Sequence, residues 1–253
     1  MLFLLSPSKK INQKDSKYSF DIEPIFTKQV SVLLNELQRK SANELSSLMK
    51  ISKELAELNV DRYLNWENSK YGMASAFFSF SGDVYKFLDP YSLGLDDLYW
   101  AQDHFIILSG LYGLLRPLDL MKPYRLDMGV KIKLSCSRDL YEFWKTEIAW
   151  YINRQQKESS SNVIVNLSSN EYFKVIDPSI LNGKVVNCVF QDFVGGHWRV
   201  VGVNAKRVRG LIARYIINNK VGNLEDLKKN TYGGYAYVSS ESMEDCLVFR
   251  QQI

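Results

Sequence analysis

The chain has 253 residues, 46% hydrophobic and 24% charged, with a formal net charge of +4. That composition excludes a disordered or fibrous chain and supplies a sizeable core, while the mild basic surplus leaves the question of an anionic partner to where the cations sit. Cys136, Cys188 and Cys246, with His104 and His197, show neither a disulfide framework nor metal-ligand spacing, so no metal and no cofactor is expected.

The apolar start Met1-Leu2-Phe3-Leu4-Leu5 has no basic flank and is interrupted by Ser6-Pro7. It is too short for a signal peptide or a membrane span, which predicts a buried strand over 2–5 in a cytoplasmic protein with no membrane contact. Residues 11–20 are polar and predict irregular chain. A helix is expected from Pro24, where proline suits a first turn. Ser41-Ala42-Asn43-Glu44 is a capping box, opening a helix with Leu45, Leu48 and Met49 at helical spacing. Short helices are expected over 52–58 and 60–66, a strand over 74–80, and a turn at Gly82-Asp83. A helix over 95–108 is expected to end at Gly110, followed by an extended stretch over 124–134.

Residues 139–156 predict a long helix burying Leu140, Phe143, Trp144, Ile148 and Tyr151. Val163-Ile164-Val165 predicts a strand buried on both sides. Strands over 185–190 and 198–203 are expected to pair around Gly195-Gly196, before a helix over 205–219. A last hairpin is expected from 235–238 and 247–249. With no linker, repeat or low-complexity tract, the reading is a mixed α/β (α+β) fold. It forms one compact domain over 1–253, a central mixed sheet flanked by helices.

Several segments carry candidate chemistry. The stretch 108–129 packs Gly110, Tyr112, Gly113, Arg116, Pro117, Pro123, Tyr124 and Arg125 into an irregular segment, and glycine with proline at that density implies a shaped loop. On a helical wheel, Lys206, Arg207, Arg209 and Arg214 fall on one side with Gly210 among them, opposite Val208, Leu211, Ile212 and Tyr215. No carboxylate compensates them there. A solvated face and a phosphate-binding face both fit, and the glycine implies close approach of a backbone or a phosphate.

Residues 45–56 fit the helix-hairpin-helix frame, with Lys50 and Ser52 in its two glycine positions. Lys50, Ser52 and Lys53 are then phosphate contacts, and a plain helical corner is the alternative. A second fit, over 107–118, is one residue too long. Ser6-Pro7-Ser8-Lys9 leaves the first strand, and Asn166 to Lys174 leaves the most buried one, where α/β folds place ligands. Asp83 and Glu171 are a possible acid/base pair. No P-loop, GxSxG, HExxH or complete dinucleotide fingerprint is present.

Leu5-Ser6-Pro7-Ser8-Lys9, Gly82-Asp83-Val84-Tyr85, the stretch 108–129, the stretch 166–174 and Ala205-Lys206-Arg207-Val208-Arg209-Gly210 together resemble the YaaA family of bacterial cytoplasmic peroxide-stress proteins. The resemblance runs over essentially the whole chain. It implies a single α/β domain of unusual fold with a positively charged cleft, a helix-hairpin-helix-like element, and binding to duplex and branched DNA. It also implies a role in limiting oxidative damage, linked to low free iron. Two positions depart from the family pattern: Ser8 stands where alanine is common, and Asn170 where aspartate is common, which removes a carboxylate beside Glu171.

The first functional expectation is therefore a sequence-nonspecific DNA-binding protein of the peroxide response. Lys9, Lys50, Ser52, Lys53, Arg116, Arg125, Lys174, Lys206, Arg207, Arg209 and Arg214 would meet phosphates, and Tyr112 and Tyr124 would stack on unpaired bases. The alternative is an enzyme acting on a nucleotide-like or phosphorylated substrate, in a pocket drawn from Ser6, Lys9, Asp83, Tyr112, Arg116, Tyr124, Asn166 and Glu171. Direct iron binding is disfavoured by the two isolated histidines.

Overall fold

The apolar amino terminus becomes the strand around which the sheet is built. The computed structural model describes residues 1–12, 16–68, 72–135, 137–159 and 161–252. Strand β1 (Leu2–Leu5) is followed by helices α1 (Thr27–Gln38), α2 (Ala42–Met49) and α3 (Lys53–Leu64). Strand β2 (Ala74–Ser75) leads through the short helices α4 (Ala76–Ser79) and α5 (Asp83–Leu88) to α6 (Leu95–His104). Next come β3 (Phe105–Ser109), β4 (Gly113–Leu115), β5 (Leu120–Met121) and the long helix α7 (Leu140–Ser159). The rest comprises β6 (Val163–Asn166), α8 (Asn170–Phe173), β7 (Lys184–Val194), β8 (His197–Arg199), α9 (Gly202–Asn219), α10 (Leu224–Lys228), β9 (Tyr235–Tyr237) and β10 (Cys246–Gln251).

The main sheet runs β4-β3-β1-β6-β7-β10-β9, with β8 paired to β7. β1 is parallel to both β3 and β6, and β7 is parallel to both β6 and β10. Antiparallel β4, β9 and β8 complete it, so the sheet is mixed. All four residues of β1 are buried, as a strand covered on both faces requires. From β1 the chain goes to β3 on one side, then crosses to β6 on the other. Connections diverging in this way leave a crevice at the carboxyl ends of the strands, where such sheets bind ligands.

The strands at 2–5 and 163–166, the long helix, the capping box at Ser41 and the last hairpin stand where expected. Gly195 and Gly196 turn β7 into β8 with φ of 63° and 82°, the paired left-handed conformation of a tight hairpin. Several elements differ, among them β8, which ends at Arg199 where a strand over 198–203 is expected, because α9 already begins at Gly202. The helix expected over 95–108 stops at His104, and Phe105–Ser109 is a strand between β1 and β4. A short apolar run has no periodicity that separates helix from strand, and pairing with β1 decided it. Of the strand expected over 74–80, only Ala74–Ser75 is extended. The next residues form a helical turn whose entry is held by Ala76 N–H to Asp119 O (3.0 Å) and Phe77 N–H to Pro117 O (2.9 Å). Gly82 starts helix α5 rather than a bare turn. The two short helices over 52–66 are one helix, N-capped by Ser52, and the helix expected from Pro24 begins at Thr27.

Candidate functional site

Strands β1 and β6 end side by side, and their exits are stitched together. The Ser169 N–H donates to Ser6 Oγ (2.8 Å), and the Ser6 hydroxyl donates to Ser169 Oγ (3.2 Å). Tyr85 of α5 donates to Ser6 O (2.9 Å). Gly82 packs closely on this loop, since a Cβ there would stand 2.4 Å from Ser8 Oγ and 3.1 Å from Ser8 Cβ. Lys9 Nζ meets Asp127 Oδ2 at 3.1 Å, and Arg125 meets the same oxygen at 3.1 Å. Tyr172 donates to Asp127 Oδ1 (3.3 Å), and Glu171 Oε1 accepts the Gly129 N–H (3.3 Å). Burial holds the Tyr172 phenol well above its ordinary value, so it remains a hydrogen-bond donor. Asp127 is thus the hub of this edge. It is 13% exposed, whereas its partner Lys9 is 61% exposed and reaches solvent.

Ser6, Lys9, Arg125 and Glu171 therefore converge with the residues around them. Asp83 is exposed at the start of α5, next to the Gly82–Ser8 contact. Asn166 lies at the same edge, but it serves its own turn. Its Oδ1 accepts the Ser168 N–H (2.9 Å) and hydroxyl (2.7 Å), while its Nδ2 donates to Asn187 (2.9 Å).

Arg116 stands apart, which corrects its expected place in the pocket. β4 runs back from the edge, and Arg116 follows the pair Leu115–Ile107. Its guanidinium holds the fully buried Asp119 at 2.9 Å within its own loop. Tyr112 and Tyr124 are likewise core residues, so neither offers an open ring to a base. Their rings meet edge to face at 5.4 Å. Tyr124 OH pairs with Ser109 Oγ (2.7 Å), and Tyr112 OH accepts the Lys122 N–H (2.9 Å).

Helix α9 is rotated relative to the expected charged face. Lys206 and Arg207 are exposed. Arg214 instead caps the end of α5, donating to Leu88 O (3.1 Å), Asp89 O (2.8 Å) and Ser92 Oγ (2.6 Å). Arg209 turns inward over the Phe190 ring, 6.0 Å from its centroid. Gly210 answers to a backbone, since a Cβ there would lie 2.3 Å from Val84 O. α9 therefore presents two outward cations, not four.

The helix pair α2–α3 places Lys50, Ser52 and Lys53 at an exposed corner. Lys50 adopts φ 54° and ψ 50°, the left-handed conformation that glycine takes most easily, and Ser52 Oγ accepts the Leu55 N–H (3.3 Å). Tyr63, ten residues along α3 from Lys53, donates to Arg125 O. The corner thus sits about 15 Å along α3 from the edge cluster. Lys174 is exposed just after α8.

The hub Asp127, with its partner Tyr172, was missed by the sequence reading. Its one local signal was the alternating charge of Arg125-Leu126-Asp127. Among the described residues, no group of three or more His, Cys, Asp and Glu is placed to hold a metal, and no helix is long and apolar enough to cross a membrane.

The family described as "Peroxide stress protein YaaA" matches residues 1–241. A UPF0246 protein of Bordetella pertussis is 48% identical over 256 residues, covering 100% of this chain and 99% of the relative. A UPF0246 protein of Bordetella avium is 44% identical over 256 residues, covering 100% of both chains. One of Leptothrix cholodnii is 43% identical over 253 residues, covering 99% of this chain and 98% of the relative.

Proposed function

The chain belongs to the YaaA family of peroxide stress proteins, and from that premise we propose that it binds DNA through the phosphate backbone, without sequence preference, during the cytoplasmic response to peroxide. The observation that carries this reading is the corner between α2 and α3. Lys50 holds a conformation that costs a lysine about 1 kcal/mol or more, at the position where the helix-hairpin-helix frame has its first glycine. That conformation keeps the exposed Lys50 and Lys53 side by side with the start of α3, whose first backbone N–H groups have no partner within the helix.

Further exposed cations are available to a duplex. Lys174 and Lys206 make no ion pair among the described residues, and Arg207 rests on Phe87 with its guanidinium carbon 5.3 Å from the ring centroid. The roughly 15 Å between the corner and the edge matches a length of duplex that carries about nine phosphates over both strands, of which one face meets about half. The role assigned to Arg116, Arg209 and Arg214 in duplex contact is not carried forward, because their guanidinium groups are engaged or buried. Protection follows from covering the backbone, and the association with low free iron is then indirect.

The test is binding of a short duplex to the wild-type protein and to the double variant Lys50→Ala, Lys53→Ala. Loss of two phosphate contacts is expected to weaken binding at least tenfold at low salt, equally for unrelated sequences. Unchanged affinity, or loss confined to one sequence, would overturn the reading.

A further inference from the structure

Arg209 is a half-buried cation without a counter-charge. Among the described residues it forms no ion pair and no side-chain hydrogen bond, and its Nε is shielded from solvent without a partner. The residues around it on α9 are core: Ala205, Val208, Ile212 and Ala213 are all buried. The neighbouring thiol of Cys188 brings no negative charge, because burial pushes it up to about 12. Burial also pulls the Arg209 guanidinium below its ordinary range, and no carboxylate offsets this. The face of Phe190 compensates only a fraction of a desolvated charge. A guanidinium in such surroundings calls for an anion.

The strand pairing changes beside Arg209. β6 ends at Asn166, whose register partner is Asn187, while β7 continues to Val194. Phe190, under the guanidinium, lies three residues beyond that last rung, about 10 Å farther on. At this level the parallel sheet has a notch, and the loops carrying Ser6 and Ser168-Ser169 leave β1 and β6 beside it. Notch and crevice coincide with the topological crossover at β1.

We propose that Arg209 anchors an oxyanion site at this notch, taking a small phosphate-type anion such as a phosphomonoester. The planar donor fork of arginine suits a phosphate group, and lysine cannot reproduce it. This site does not rest on the duplex-binding reading, since Arg209 is not among the cations invoked there.

The experiment is calorimetric titration of the wild-type protein with inorganic phosphate and with adenosine monophosphate, at ionic strength matched with chloride. One-site saturable binding is expected. Arg209→Lys should weaken it at least tenfold, and Arg209→Met should abolish it. Arg209→Met should also melt no lower than wild type in phosphate-free buffer, because it removes a partly desolvated charge that has no counter-charge. Should that variant fail to fold, the lysine variant carries the test. No saturable binding by the wild type, or equal binding by Arg209→Met, would overturn the proposal. So would duplex binding that depends on Arg209 with no binding of either small anion, which would make Arg209 a backbone contact. Phosphate binding without duplex binding leaves this site standing and removes the duplex reading instead.

Discussion

Replacing Gly210 with alanine separates two reasons for a glycine inside a basic helix. Were it there to admit a phosphate, Gly210→Ala would stabilise the fold by about 1 kcal/mol through helix propensity and weaken DNA binding. The structure predicts the opposite. The added Cβ would sit 2.3 Å from Val84 O, 2.8 Å from Phe87 Cβ and 3.1 Å from Leu88 N. Two of these atoms are backbone of α5, so no rotamer change relieves the contact and the helices must part. Parting them strains the Arg214 bonds to Leu88 O and Asp89 O, and the Tyr85 bond that holds Ser6. Overpacking costs of about 1–3 kcal/mol or more outweigh the propensity gain. The expected net loss is about 2 kcal/mol, or roughly 4–8 °C in Tm for a chain of this size. Urea unfolding measures it, with an unchanged slope. Equal or greater stability of the variant would refute the close-packing account.

Two further outcomes follow from single residues. Lys50→Gly should stabilise the protein by about 1 kcal/mol by relieving a left-handed lysine, while removing one phosphate contact; a destabilised variant would contradict the strain at this corner. Cys188 sets a pH dependence. Its thiol is raised from 9.0 to about 12 in the fold, so the stability it contributes is complete below pH 9 and is lost as pH rises towards 12. The loss is of order 1.4 kcal/mol per pH unit, and Cys188→Ala should flatten the unfolding free energy across that window relative to wild type. An identical slope in both proteins would show that the thiol does not titrate as its burial requires.

What the sequence disclosed depended on whether a residue's partner was local. Ser41 and Glu44 lie three apart, and their capping box formed as read. Leu2–Leu5 and Val163-Ile164-Val165 are short apolar runs that end at polar residues, which fits strands covered on both faces. Gly195-Gly196 needs only its own backbone freedom. By contrast, the join of α6 and β3, at His104-Phe105, has no glycine or proline to mark it, so pairing with β1 determined where the helix ended. The charges of α9 misled for a related reason. A wheel assigns arginine outward, yet Arg214 serves carbonyls at the end of α5, which is remote in the chain, and Arg209 is folded inward. Arg116 was the avoidable misplacement, since Asp119 stands three residues away and the pair is local. The Lys9–Asp127 link joins the first strand's exit to the central loop, and no spacing within either segment foretold it.

The central claim is that exposed cations, not the buried or internally paired arginines, meet the DNA backbone. The dependence of duplex affinity on salt tests it most directly, because the slope counts phosphate contacts at about 0.9 each. With Lys50, Lys53, Lys174, Lys206 and Arg207 engaged, log Kobs against log salt should fall with a slope of about −4.5. The double variant Lys206→Ala, Arg207→Ala should flatten that slope by about 1.8, and Arg214→Ala should leave it unchanged. A slope near zero, or one that responds to Arg214 and not to Lys206 and Arg207, would contradict the account.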